Sequence, residues 1–417
     1  MKRRDFLTAG ALAAGGALLT SRLSFANTAI NGKCRFVFVI LRGALDGLAA
    51  VPPYGDPDYA NLRRDLAIPG SGLLPLNELF GLHPSLTFLK ESFTARELVV
   101  FHAIASPYRE RSHFDGQDVL ESGNVRPHAV QSGWLNRALA AIPPGQTPNK
   151  ELGVALGQNI PLVMRGPAEV TSWSPSKLAA LDEDTLQRIA DLYAGDPVLA
   201  GRLADAQAAD EIADTPMMGG IGSASNGTMA GAANAAPGGP ATARIGARYT
   251  EVIHAAAEFL GREDGPKVAV FDTTGWDTHA NEGSAQGQLA GRLAALDTGL
   301  RSLKEQLGPT WNDTVVLLAT EFGRTAAING TRGTDHGTGA AAFLIGGAVR
   351  GGRVVADWPG LSAHALYQGR DLMPTQDLRS VLKGVLTEHL HVPARALDST
   401  VFPDSSTARA LKDLIKT

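Results

Sequence analysis

The sequence predicts an α/β domain with a largely parallel central sheet sandwiched by helices. Three observations carry this. Five short, continuously apolar runs, Arg35–Leu41, Leu98–Phe101, Val268–Phe271, Thr314–Leu318 and Ala341–Ile345, read as strands buried on both faces. Helical patterns alternate with them at Leu135–Ile142, Lys177–Ala206, Arg244–Leu260, Gln286–Leu307 and Asp377–His389. Finally, 47 Gly and 24 Pro in 417 residues imply long connections between the elements.

In chain order, residues 1–26 read as a cleavable leader. Arg3 and Arg4 stand directly before the apolar stretch Phe6–Leu19, and Ser24-Phe25-Ala26 supplies a small-x-small cleavage pattern. Paired arginines before Phe6-Leu7 are the twin-arginine signature, so the expected partner is the export machinery for folded proteins and the destination the periplasm or beyond. The stretch is too short for a span and no lipobox cysteine follows it, so no stable membrane anchor is expected. Residues 27–417 are expected to form one domain, with the glycine-rich, uncharged segment at about 215–242 as a flexible insertion. The lone cysteine, Cys34, excludes an internal disulfide or a Cys-rich zinc module, and a net charge of −4 gives no basic stripe for nucleic acid.

In parallel sheets ligands gather beyond the carboxyl ends of the strands, and metal-ligand residue types concentrate there. Asp46 follows the first run, and Asp277 and His279 follow the third. Glu321 and Arg324 follow the fourth, and Asp335 and His336 precede the fifth. Carboxylates with imidazoles suit a divalent ion, zinc or manganese first, with magnesium or calcium as the carboxylate-and-water alternatives. Each also has an ordinary reading: a tight turn at Asp46-Gly47, a salt bridge between Glu321 and Arg324, turn chemistry at Asp335-His336-Gly337. Ser112, with Asp115 three residues on, resembles a capping pair opening a helix. Its hydroxyl there, beside His113, Arg109 and Arg111, also suits an anionic ester.

The motifs LRGALDGL (41–48), RSHFDGQ (111–117), SGWLNR (132–137), GWDTH (275–279), EFGRT (321–325), TDHGTG (334–339) and TQDLRSV (375–381) resemble a bacterial family of unknown function exported by the twin-arginine route. That family looks like a branch of the alkaline phosphatase superfamily, with its sulfatases and phosphopentomutases. The resemblance implies a metal site at the strand ends held by Asp46, Asp277, His279, Glu321, Asp335 and His336. It implies Ser112, His113 and Arg324 as catalytic groups acting on a small phosphate-type ester, with Ser112 or a water as nucleophile. Either Asp335-His336-Gly337 matches the superfamily's Asp-His-Gly, or Glu321-Phe322-Gly323 takes that place and His336 is the late histidine; the second register is preferred because Glu321 ends a buried run. Phe322 then stands where a ligand histidine is expected. Ala105 opens the segment matching the sulfatase Cys/Ser-x-Pro-x-Arg pattern and cannot become formylglycine, so that mechanism is disfavoured. A non-catalytic envelope binding or assembly protein on a degenerate version of the fold is the alternative.

Overall fold

The computed structural model describes residues 33–142, 152–175, 189, 192–193, 196–214 and 240–416. The expected leader, most of the insertion expected at 215–242 and residues 177–188 of one expected helix lie outside them. The strands are β1 (Arg35–Arg42), β2 (Leu74–Pro75), β3 (Gly81–Leu82), β4 (Leu98–Ala105), β5 (Gly153–Leu156), β6 (Val170–Trp173), β7 (Val268–Thr274), β8 (Thr314–Ala319), β9 (Ala340–Ile345), β10 (Arg353–Val355) and β11 (Gln376–Asp377). The helices that matter below are α1 (Gly47–Ala50), α2 (Tyr59–Arg63), α3 (Thr87–Thr94), α4 (His113–Ser122), α5 (Trp134–Ala141), α6 (Pro197–Asp214), α7 (Pro240–Gly261), α8 (Gln288–Leu307) and α9 (Leu378–Glu388).

One sheet runs β10-β4-β9-β8-β1-β7-β5-β6, with β11 beside β4 and the β2–β3 hairpin separate. All its pairings are parallel except those of β9, which runs antiparallel to both β4 and β8. The continuous apolar runs follow from the two-sided burial: in β1, Val37, Val39 and Leu41 face a core with α3, α7 and α8, and Phe36, Phe38 and Ile40 face a second core with α5 and α9. The predicted class is therefore the observed one, an α/β fold with a mostly parallel sheet between two helical layers. The antiparallel β9 was not predicted, and it matters: it brings its amino end, preceded by His336, to the edge where β1, β4, β7 and β8 deliver their carboxyl ends.

Two histidines are spent on this framework. His102 in β4 is fully buried, its Nε2–H donating to Val51 O (3.0 Å) while Nδ1 accepts from Ala103 N (2.8 Å). His389 donates from Nε2 to Arg35 O (2.8 Å). Burial pushes both pKa values down to about 4. An unfolded imidazole takes its proton near 6.5, so each contributes stability that is fully present above pH 6.5 and is lost as pH falls toward 4, roughly 3 kcal/mol apiece. Histidine proton NMR should show both rings neutral down to about pH 4. Titration of either near 6.5 contradicts the assignment.

Candidate metal centre

The loops that end β1 and β7 meet first. Gly43 has φ +117°, and a Cβ there would lie 2.8 Å from Asp277 N, so only glycine permits the approach. Arg324, on the loop after β8, then ties the loops together. Its buried guanidinium donates to Ala44 O (2.8 Å), Gly43 O (3.2 Å), Trp276 O (3.3 Å) and Thr334 O (3.0 Å), and to the Asp277 carboxylate. Burial raises the Asp277 pKa, but the Arg324 charge and hydrogen bond, together with His279 and His113, outweigh it and hold the carboxyl below its usual range. Arg324, expected as a catalytic group, is thus enclosed by carbonyls and acts on Asp277.

Around Asp277 the imidazoles converge. Asp277 Oδ1 lies 3.1 Å from His279 Nε2 and 3.2 Å from His336 Nε2, and Oδ2 lies 3.5 Å from His113 Nε2. The two nitrogens of His279 and His336 are 3.0 Å apart. In each ring the far nitrogen is already committed: His113 Nδ1 to Glu321 Oε1 (2.8 Å), His336 Nδ1 to Arg111 O (2.9 Å), His279 Nδ1 to Asp335 Oδ1 (3.4 Å). Those partners are acceptors, which places a proton on each Nδ1 and, in the neutral ring, leaves the Nε2 lone pair free for a ligand. The three Nε2 atoms thus gather around the Asp277 carboxylate. His113 Nε2 is buried with no hydrogen-bond partner. Ligand atoms of His113, Asp277 and His336 all lie within 4.8 Å of one another, a group with metal-binding geometry.

The other expected residues support this cluster or stand apart from it. Glu321 Oε1 accepts from Gly43 N (2.9 Å), Gln117 Nε2 (3.2 Å) and His113, and Oε2 from Thr320 Oγ1 (2.9 Å); burial raises its pKa, but these hydrogen bonds more than offset it. It therefore orients His113 from behind. Asp335 accepts from Asn329 Nδ2 (3.0 Å) and orients His279 in the same way. Phe322 is buried, stacked on His113 with centroids 5.0 Å apart, and forms an apolar floor under the rings.

Asp46 is committed elsewhere. It caps α1, accepting from Leu48 N (2.9 Å) and Ala49 N (3.1 Å), and both its oxygens are taken by Arg63 of α2. Burial raises the Asp46 pKa, Arg63 outweighs it, and the net is a carboxyl held ionised. Beside it, buried Glu282 is pushed up to about 8, by burial first and the Asp46 charge second, and shares Thr334 Oγ1 (2.9 Å). Arg63 and Glu282 lie in stretches with no motif, so sequence reading offered no signal for them.

Ser112 does open α4 as its N-cap residue, but the expected capping pair does not form. Its side chain makes no cap bond, and its backbone N donates to Tyr108 Oη (3.0 Å). Asp115 instead meets Tyr108 Oη (3.3 Å) and His128 (3.0 Å), because the Tyr108 phenol sits between the two expected partners. Of the flanking arginines, Arg109 is spent on the Ser106 and Tyr108 carbonyls, and Arg111 pairs with Asp371 (2.8 Å).

No curated protein matches the chain. Among solved structures, that of Ps i-CgsB in complex with k-i-k-neocarrahexaose is 13% identical, covers 90% of this chain and 77% of its own, and superposes with a TM-score of 0.39. The phosphonate monoester hydrolase of Agrobacterium radiobacter is 11% identical, with 86% and 74% covered and a TM-score of 0.36. A 2-O GAG sulfatase is also 11% identical, with 75% and 63% covered and a TM-score of 0.25. A family model, by contrast, spans most of the domain and includes α4, β7, β8, β9 and every residue of the imidazole cluster. Matching residues 102–401, it shows that the chain belongs to the family described as "Protein of unknown function (DUF1501)".

Proposed function

We propose that this chain is an exported metal-dependent hydrolase or transferase of phosphate-type esters. The observation that carries the reading is the convergence of the His113, His279 and His336 Nε2 lone pairs on Asp277, each ring held from behind by an acceptor. Tetrahedral ligands at metal bonds of about 2.05 Å stand about 3.3 Å apart. Asp277 Oδ1 and the His279 and His336 nitrogens, 3.0–3.2 Å apart, come near that value, and His113 Nε2 stands 3.5 Å from Oδ2. Imidazole with one carboxylate favours zinc, or manganese, over calcium. Such an ion supplies charge to polarise and neutralise an ester oxygen. The chain's own part is to orient: Glu321, Asp335 and the Arg111 carbonyl fix the rings, and Arg324 fixes Asp277.

The leader with Arg3 and Arg4 supports export of the folded chain to the periplasm or beyond, and no helix among the described residues is long and apolar enough to cross a membrane. Elemental analysis of untagged protein is expected to find divalent metal, zinc or manganese first. Absence of bound metal, with no stabilisation on adding either ion, overturns the reading. Phe322 at an expected ligand position and the Ser112 backbone tied to the Tyr108 phenol favour the second reading, a non-catalytic binding protein. Metal bound without turnover across a panel of phosphate esters decides for it.

A further inference from the structure

A cavity of about 1180 Å³ opens at the same sheet edge. Ile40, Leu156, Phe271 and Leu296 give it apolar walls, and it shares Gln117 and Trp276 with the metal loops. Gln117 donates to the Glu321 carboxylate that holds His113, and Trp276 precedes Asp277. Nearly all charges facing it are spent. Arg42 pairs with Glu121 (2.7 Å) and Asp272, and His128 lies 3.4 Å from Asp118. Arg165 is exposed and bonds Ile160 O (2.8 Å).

Arg292 is the exception. Among the described residues this half-buried side chain of α8 makes no hydrogen bond or ion pair, its Nε is buried without a partner, and burial alone pulls its pKa down. The buried Tyr249 hydroxyl also lacks a partner among the described residues. A cation and a donor left uncommitted against apolar walls are poised for an anion from outside the chain. Arg292 lies beside the metal loops: a Cβ at Gly275, two residues before Asp277, would lie 2.9 Å from Arg292 Cζ. Space is also present, since a Cβ at Gly291, which lines the cavity, would meet nothing within 4 Å.

We infer that this cavity binds the organic part of the substrate, an apolar group carrying a second oxyanion that pairs with Arg292. The inference rests on the ester reading above for its link to the metal, and its volume suits a ligand of several rings.

The test uses the full chain, with and without zinc, and two fluorescent probes of similar shape: anionic anilinonaphthalene sulfonate and neutral phenylnaphthylamine. One saturable sulfonate site is expected, about tenfold tighter than the neutral probe. Arg292→Gln should weaken the sulfonate about tenfold and leave the neutral probe unchanged, and Arg292→Lys should restore part of the difference. Ala295→Trp, on the exposed face of α8 at the cavity wall, should exclude both probes without disturbing the core. Equal affinity of the wild-type chain for both probes, or full sulfonate affinity in Arg292→Gln, overturns the inference. Metal content measured alongside separates the two readings. Metal bound without the probe pattern refutes only the cavity assignment, and the probe pattern with neither zinc nor manganese bound refutes only the metal-dependent ester reading.

Discussion

Replacing Arg63 with leucine is expected to lower the unfolding free energy by about 3–5 kcal/mol, the cost of leaving one member of a buried ion pair unpaired. The Arg63 and Asp46 side chains are 0% and 1% exposed, so water cannot take over the charge that is lost. Asp46 would face Glu282, already pushed up to about 8, and two carboxyls would share a site with no cation between them. The pairing predicts strong non-additivity. Asp46→Asn keeps a side-chain oxygen to cap α1 while removing the charge, so Asp46→Asn with Arg63→Leu should recover much of the stability lost by Arg63→Leu alone. Urea unfolding of the two single variants and the double variant measures the coupling. A single Arg63→Leu within about 0.5 kcal/mol of wild type, or strictly additive effects, contradicts this account.

Asp277→Ala is expected to act on binding more than on folding. It removes the one carboxylate at the point where three imidazole nitrogens meet, and metal affinity should fall by more than about 100-fold, beyond the loss typical of removing a supporting group. The structural cost is smaller than at Arg63, because Asp277 is 40% exposed and Arg324 retains four carbonyl acceptors. About 2 kcal/mol is expected, the worth of one charged hydrogen bond. Asp277→Asn separates the effects: it preserves volume and one acceptor for Arg324 but loses the charge an ion requires. Metal titration by calorimetry, read beside thermal unfolding without metal, distinguishes ligand loss from misfolding. Undiminished metal affinity in Asp277→Ala would remove Asp277 from the centre.

The elements most legible in the sequence were those buried on both faces. All eight residues of β4 are buried and β1 is nearly so, which leaves long apolar runs, broken within β4 only by His102. The marginal strands β6, β10 and β11 are half-exposed and short, and their residues carry no such signature. The same contrast divides the site. Asp277, His279 and His336 stood out because each flanks a legible strand. His113 was noticed for its neighbour Ser112, and its place in the cluster depends on α4 turning its first residue toward β8. Asp46 stood out for the same reason as Asp277, yet it is met by Arg63, and nothing in 47–63 announces that α2 crosses back over the end of β1.

The sequence by itself determined the layer architecture, five strands of the central sheet (β1, β4, β7, β8 and β9) and the loops that carry the chemistry, because burial on two faces and chain order are written locally in residue type. Only the tertiary structure decided which candidates share one point and which are neutralised before reaching it. That division depends on the antiparallel β9, on the side-chain reach of Arg63 and Arg324, and on which ring nitrogen finds an acceptor. These are relations between residues up to 288 positions apart, such as Thr334 with Asp46, and no local pattern encodes them.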